Sequence, residues 1–131
     1  MVVIDTSAWI EYFRNGEPAV VKTVDTALDR DLVVMGDLIY CEVLQGIKNK
    51  RELEQVSTLF QSLPRYEMVG FKIAEKSAAN NRFLRSKGVT VRKTIDIIIG
   101  TFCIEHKLQL IHHDRDFELM APFIGIKRFT L

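Results

Sequence analysis

The sequence predicts an α/β protein, a parallel β-sheet of about five short strands sandwiched between helices. Short runs rich in Val, Ile and Leu alternate with longer segments whose apolar residues recur every three or four positions. Two of the runs stop at helix-opening residues, Asp5-Thr6-Ser7 and Gly36-Asp37. No linker, repeat or low-complexity segment divides the 131 residues, so one domain spanning 1–131 is expected.

Val2-Val3-Ile4 is the first strand, followed by a short helix over Ala8 to Arg14 that Asn15-Gly16 ends. Pro18 suits the first turn of a second helix, with Val20, Val24 and Leu28 as its apolar stripe. Leu32 to Met35 is the second strand. Gly36-Asp37 caps a helix from Leu38 to Gln45, and Gly46 stops it. Arg51 to Leu63 is amphipathic through Leu53, Val56, Phe60 and Leu63, and Pro64 ends it. Glu67-Met68-Val69 is a weak third strand. Phe71 to Lys87 reads as a long helix with Phe71, Ala74 and Ala78 inward and Gly88 past its end. Thr94 caps a helix that runs to Lys107. Leu108 to Ile111 is the fourth strand, leading into His112-His113-Asp114. Phe117 to Met120 is a helical turn before Pro122, and Ile126 to Phe129 is a last edge strand.

Apolar residues make up 47% and charged residues 27%, the balance of an ordinary globular chain. The longest apolar run, Ile97 to Ile104, is too short to cross a bilayer, and Asp5 interrupts any signal-peptide core. A cytoplasmic protein is expected. Cys41 and Cys103 each sit in an apolar stretch and read as buried, reduced thiols. A zinc site needs more Cys and His, at closer spacing, than these and His106, His112 and His113 supply.

The net charge of +1 points to no particular partner. Its distribution is more informative. No acid lies between Glu75 and Asp96, a stretch that carries Lys76, Arg82, Arg85, Lys87, Arg92 and Lys93. This is either a solvated helix face or a patch that grips a polyanion by its phosphates.

Ligands of open parallel sheets bind outside the carboxyl ends of the strands. Asp5 follows the first strand, Asp114 follows the fourth, Asp96 lies in the turn after Thr94, and Glu42 lies on the helix after the second strand. Taken singly, Asp5 reads equally as a helix cap and Asp96 as a dipole partner. Asp114 or Asp116 reads equally as a cap for the turn at Phe117. Glu42 is harder to place as a surface residue, because Tyr40-Cys41-Glu42-Val43-Leu44 is mostly apolar. Converged, the acids would repel one another unless a cation neutralised them. Oxygen-only ligands select Mg²⁺ or Mn²⁺. Such a site suits phosphodiester hydrolysis, in which a metal acidifies water and no side-chain nucleophile is required.

Four blocks resemble the PIN-domain family. Val3-Ile4-Asp5-Thr6-Ser7 resembles the family's opening motif, and Glu42-Val43-Leu44-Gln45-Gly46-Ile47 its second. Thr94-Ile95-Asp96-Ile97-Ile98-Ile99-Gly100 resembles the third, and Leu110-Ile111-His112-His113-Asp114-Arg115-Asp116-Phe117 the fourth. Their order covers nearly the whole chain. The length and lack of further domains are similar to VapC toxins of toxin–antitoxin pairs. The resemblance implies a parallel sheet between helices and an Mg²⁺-dependent endoribonuclease that uses a metal-activated water. It also implies a homodimer and a VapB-like antitoxin whose tail occupies the acidic site.

Carried onto this chain, the family's catalytic acids are Asp5, Glu42, Asp96 and Asp114. The metal ligands are Asp5, Asp96, Asp114 and Asp116, and Thr6 or Ser7 would orient Asp5 or a bound water. Arg82, Arg85, Lys87, Arg92 and Lys93 are the candidates for gripping RNA. His112-His113 departs from the Thr-Arg or Thr-Asn frequent before the last acid, which leaves the choice between Asp114 and Asp116 open, with Asp114 nearer the strand end.

A haloacid dehalogenase-type phosphotransferase also places an aspartate after its first strand, but wants a second two residues on, where this chain has Ser7. A receiver domain wants paired acids near the first strand and a late lysine. DNA cleavage and a catalytically silent PIN scaffold that binds RNA or a protein are further alternatives.

Overall fold

A computed structural model describes all residues, 1–131. The strands are β1 (Val2–Ile4), β2 (Val33–Gly36), β3 (Arg65–Tyr66) and β4 (Gln109–Ile111). The helices are α1 (Thr6–Phe13), α2 (Pro18–Asp29), α3 (Asp37–Gln45), α4 (Lys50–Gln61), α5 (Gly70–Ser86), α6 (Thr94–Glu105) and α7 (Arg115–Ile124). No helix is long and apolar enough to cross a membrane.

All strand pairs are parallel, in the order β3-β2-β1-β4. The central strands are Val-rich because helices cover both faces, and Val2, Val3, Ile4, Val33, Val34 and Met35 are all buried. One cluster of 27 buried residues forms the core. The expected fifth strand over 126–129 shrinks to a single parallel bridge between Arg128 and Leu110. Leu110 N–H donates to Lys127 at 2.9 Å, and Phe129 N–H donates to Leu110 at 3.0 Å.

Several expectations need correction. The third strand is Arg65–Tyr66, not 67–69. Met68 is instead fully buried, packed so closely on Gly36 that a Cβ there would lie 2.1 Å from Met68 Sδ. Its N–H donates to Asp37 Oδ1 at 3.0 Å, so a side chain takes the bond a sheet neighbour would have taken.

On α5 the inward residues are Ile73, Ser77 and Leu84, whereas Phe71 is 92% exposed and Ala74 and Ala78 are exposed. Asn80 Nδ2 donates to Thr101 Oγ1 at 2.9 Å and helps set that rotation against α6. Thr94 is the first residue of α6, and Lys93 occupies the cap without a side-chain bond. α1 begins at Thr6 because Asp5 is its cap. α7 runs through Pro122 to Ile124, since a proline this near the helix end breaks little, and left-handed Gly125 (φ 86°) stops it. Cys103 is buried, but Cys41 is exposed.

Candidate active site

The carboxyl edge of the sheet collects the acids. Asp96 lies in the first turn of α6. Asp114 caps α7, its Oδ1 accepting the Asp116 N–H at 2.8 Å, and so draws Asp116 alongside. One oxygen from each of Asp96, Asp114 and Asp116 lies within 4.8 Å of the other two.

Asp96 is the strained member. It is only 4% exposed, and its Oδ2 has no hydrogen-bond partner. An unsatisfied buried polar atom costs about 1–3 kcal/mol, more if charged. Burial first, then the charges of Asp5 and Asp114, push its carboxyl up to about 7, against the pull of Lys93.

Asp5 and Glu42 stand outside this trio but border it. Asp5 is buried, and its Oδ2 accepts from Ser7 N at 3.0 Å and Ser7 Oγ at 2.5 Å. Burial holds its carboxyl above the ordinary range despite those bonds. Ser7 Oγ in turn accepts the His113 N–H at 2.9 Å, tying the end of β1 to the turn after β4. Glu42, half-buried on α3, accepts from Thr6 Oγ1 at 2.8 Å. The expected support from Thr6 and Ser7 is therefore divided: Ser7 orients Asp5, and Thr6 orients Glu42.

His112 is buried against the Phe117 ring, 5.2 Å between centroids, and its Nδ1 accepts the Asp114 N–H at 3.4 Å. Burial, then the Arg128 charge, lowers its pKa to about 4, so the ring is neutral at pH 7 and acts as an acceptor. Arg128 also donates to the His112 carbonyl at 3.2 Å, a support that no local sequence signal marks.

The basic stretch divides. Arg92 Nε lies 3.5 Å from Asp116 Oδ2, so this arginine touches the acidic cluster. Lys76 is bound to Glu105. Arg82, Arg85, Lys87 and Lys93 are exposed and form no ion pair, with Lys87 lying over the Phe83 ring.

Three convergent carboxylates, one with an orphaned buried oxygen, fit a hard divalent cation. Asp96, Asp114 and Asp116 are the residues that could hold one.

A parallel sheet flanked by helices with this acidic edge defines the class: the PIN-domain family model matches residues 2–121, and the chain belongs to that family. Within it, the chain is similar to ribonuclease VapC11 of Mycobacterium tuberculosis, 30% identical over 129 residues, covering 97% of this chain and 96% of the relative. The chain is of the VapC type. The fold is shared with VapBC2 of Rickettsia felis, solved bound to a promoter DNA fragment (TM-score 0.74, 14% identity, 99% and 100% of the two chains). It is also shared with a toxin–antitoxin complex from Klebsiella pneumoniae (TM-score 0.71, 22% identity, 96% and 95%).

Proposed function

We propose that this protein is an Mg²⁺-dependent endoribonuclease, the cytoplasmic toxin of a VapBC-type pair, acting as a homodimer and restrained by a small VapB-like antitoxin. The observation that carries the reading is the buried, unpartnered Oδ2 of Asp96 amid Asp114 and Asp116. Relatives named as VapC ribonucleases over nearly the whole chain support the activity, and a neighbour solved as a toxin–antitoxin complex supports the partner.

In this reading Asp96, Asp114 and Asp116 hold the cation, with Mn²⁺ able to substitute. A hard divalent cation supplies charge neutralisation and Lewis acidity at neutral pH. Asp5, fixed by Ser7, and Glu42, fixed by Thr6, border the attacking water and orient it. Water is the nucleophile in this reading: Ser7 Oγ is engaged with Asp5 and His113 and His112 is held as an acceptor, and the product ends distinguish water from the RNA 2′-hydroxyl. Hydrolysis of this kind leaves 5′-phosphate and 3′-hydroxyl ends and spares the RNA 2′-hydroxyl.

The test is cleavage of RNA by wild type and Asp5→Asn, with Mg²⁺ and with excess chelator, followed by analysis of product ends. Wild type is expected to cut only with metal, and folded Asp5→Asn to be inert. Equal activity of both proteins, or 2′,3′-cyclic phosphate ends, would overturn the mechanism. A folded wild type inert on every RNA would favour the silent scaffold.

A further inference from the structure

A cavity of mixed polar and apolar lining lies across α3 from Glu42. Met35, Asp37, Tyr40, Arg65, Tyr66 and Glu67 line a space of about 350 Å³ at the carboxyl ends of β2 and β3. This is the same edge of the sheet that carries the acids, and the volume is in the range of small-ligand sites. At about 100° per residue, Tyr40 and Glu42 emerge on opposite flanks of the buried Ile39 and Val43 stripe. The cavity and Glu42 thus lie on opposite flanks of α3, roughly one helix diameter, ~10 Å, apart.

Its polar groups are uncommitted. Arg65, Glu67 and the hydroxyls of Tyr40 and Tyr66 form no ion pair, and the side-chain bonds formed here are those of Asp37. Asp37 Oδ1 accepts the Leu38 and Met68 N–H groups at 2.8 and 3.0 Å, which fixes that carboxylate and leaves Oδ2 outside both bonds. Tyr40 is braced on Phe60, 6.0 Å between ring centroids, while Tyr66 is 49% exposed on an edge strand. The cavity therefore offers aromatic faces, one guanidinium and carboxylates together.

That donor and acceptor set complements guanine most fully. Guanine presents two adjacent donors, N1–H and N2–H₂, to a carboxylate, and two acceptors, O6 and N7, to a guanidinium. Adenine and cytosine set a ring-nitrogen acceptor beside their amino group, which a carboxylate repels. Uracil has a single N–H between two carbonyls. Unstacked bases of single-stranded RNA bind by stacking on aromatic rings while their edges are read by hydrogen bonds. We propose that this cavity takes an unstacked guanine of the RNA, through Tyr66 stacking, Arg65 and Glu67, and thereby fixes the position of the cut. The proposal rests on the ribonuclease reading and adds a base specificity to it.

The experiment is single-turnover cleavage of oligonucleotides that carry G, A, C or U in turn at each position flanking the cut. Wild type is expected to favour G at one fixed offset. Tyr66→Ala should slow cleavage of the G-bearing substrate by about 5- to 150-fold, the loss of one base–aromatic stack. Tyr66→Phe should retain that rate, and Glu67→Ala should erase the discrimination of G from A. Tyr66 and Glu67 are exposed, and thermal melts check that the variants fold. If wild type cuts without a G preference, if Glu67→Ala keeps it, or if Tyr66→Ala cuts as fast as wild type, the cavity proposal falls while the ribonuclease stands. If wild type cuts no RNA, the ribonuclease reading falls and titration with GMP decides the cavity. Tyr40 and Tyr66 ring signals that move with GMP and not UMP would sustain it, and signals that stay still would overturn it.

Discussion

Glu11 and Asp96 are both buried carboxylates, 6% and 4% exposed, and the fold treats them in opposite ways. Glu11 is satisfied on every side. Its Oε1 accepts from Arg14 at 2.9 Å and from the Glu17 N–H at 3.1 Å, and its Oε2 lies 2.7 Å from the same guanidinium. The Arg14 bond, foremost, holds its carboxyl below the usual range. Asp96 also has a cation three residues away, Lys93, yet the two form no ion pair, and Asp96 Oδ2 is left bare beside other acids. Glu11 closes the α1–α2 turn. Asp96 carries a stability cost at the site where a cation would offset it.

The sharpest way to break this contrast is to neutralise each acid. Asp96→Asn should lower Mg²⁺-dependent RNA cleavage on the order of 10²–10³-fold, the loss typical of removing one preorganised group from a site. Glu11→Gln should lower the melting temperature and leave cleavage by the folded protein near wild type. Equal loss of cleavage in both variants, measured well below their melting temperatures, would show that the two acids do not divide in this way.

Metal addition gives the next largest effect. A cation that binds only the folded state at 100 times its Kd adds about 2.7 kcal/mol of stability. Calorimetric melts should therefore rise with Mg²⁺ for wild type and Glu11→Gln, and stay flat for Asp96→Asn. A rise of the same size in Asp96→Asn would place the binding ion elsewhere.

Where the sequence is legible, local chemistry decides the outcome. Val2-Val3-Ile4 and Leu108 to Ile111 lie where β-branched and leucine-rich runs place strands, and Asp5 and Asp114 follow as helix caps. Glu42 stands out because its neighbours are apolar. Where distant contacts decide, the sequence is silent. β3 is displaced because Asp37 and Gly36 capture Met68, 31 residues along the chain from Asp37. The α5 stripe is ambiguous in sequence because alanines suit either face, and the Asn80–Thr101 bond chooses. The Ser7–His113 bond joins residues 106 apart, and no spacing rule reaches that far.

The contrast also carries a pH signature. In metal-free protein Asp96 titrates near 7 when folded, against an ordinary value of 3.8, so the folded state holds its proton longer than the unfolded state. That contribution is full below about pH 4 and is lost as pH rises toward about 7. Glu11 runs the other way: its lowered pKa adds stability above its ordinary value near 4.5, lost as pH falls. With chelator present, Asp96→Asn should flatten the fall in melting temperature between about pH 4 and 7, a change on the order of ten degrees. Glu11→Gln should flatten only the acid limb. If Asp96→Asn leaves the neutral limb unchanged, the buried oxygen is not the source of the cost.

The smallest expected effect concerns the cations around the acids. Arg92 reaches Asp116, whereas Arg82 and Arg85 stand free on α5, so they should fail differently. Arg82→Glu or Arg85→Glu should weaken RNA binding and reduce the slope of log K against log salt by about 1 for each phosphate no longer gripped. Arg92→Ala should change the slope by no more than that and also lower metal affinity, because Asp116 is left without the partner that orients it. Salt titrations of RNA binding, paired with Mg²⁺ melts, separate the two. If Arg82 and Arg85 leave the slope untouched, the acid-free stretch is a solvated face and Arg92 alone belongs to the site.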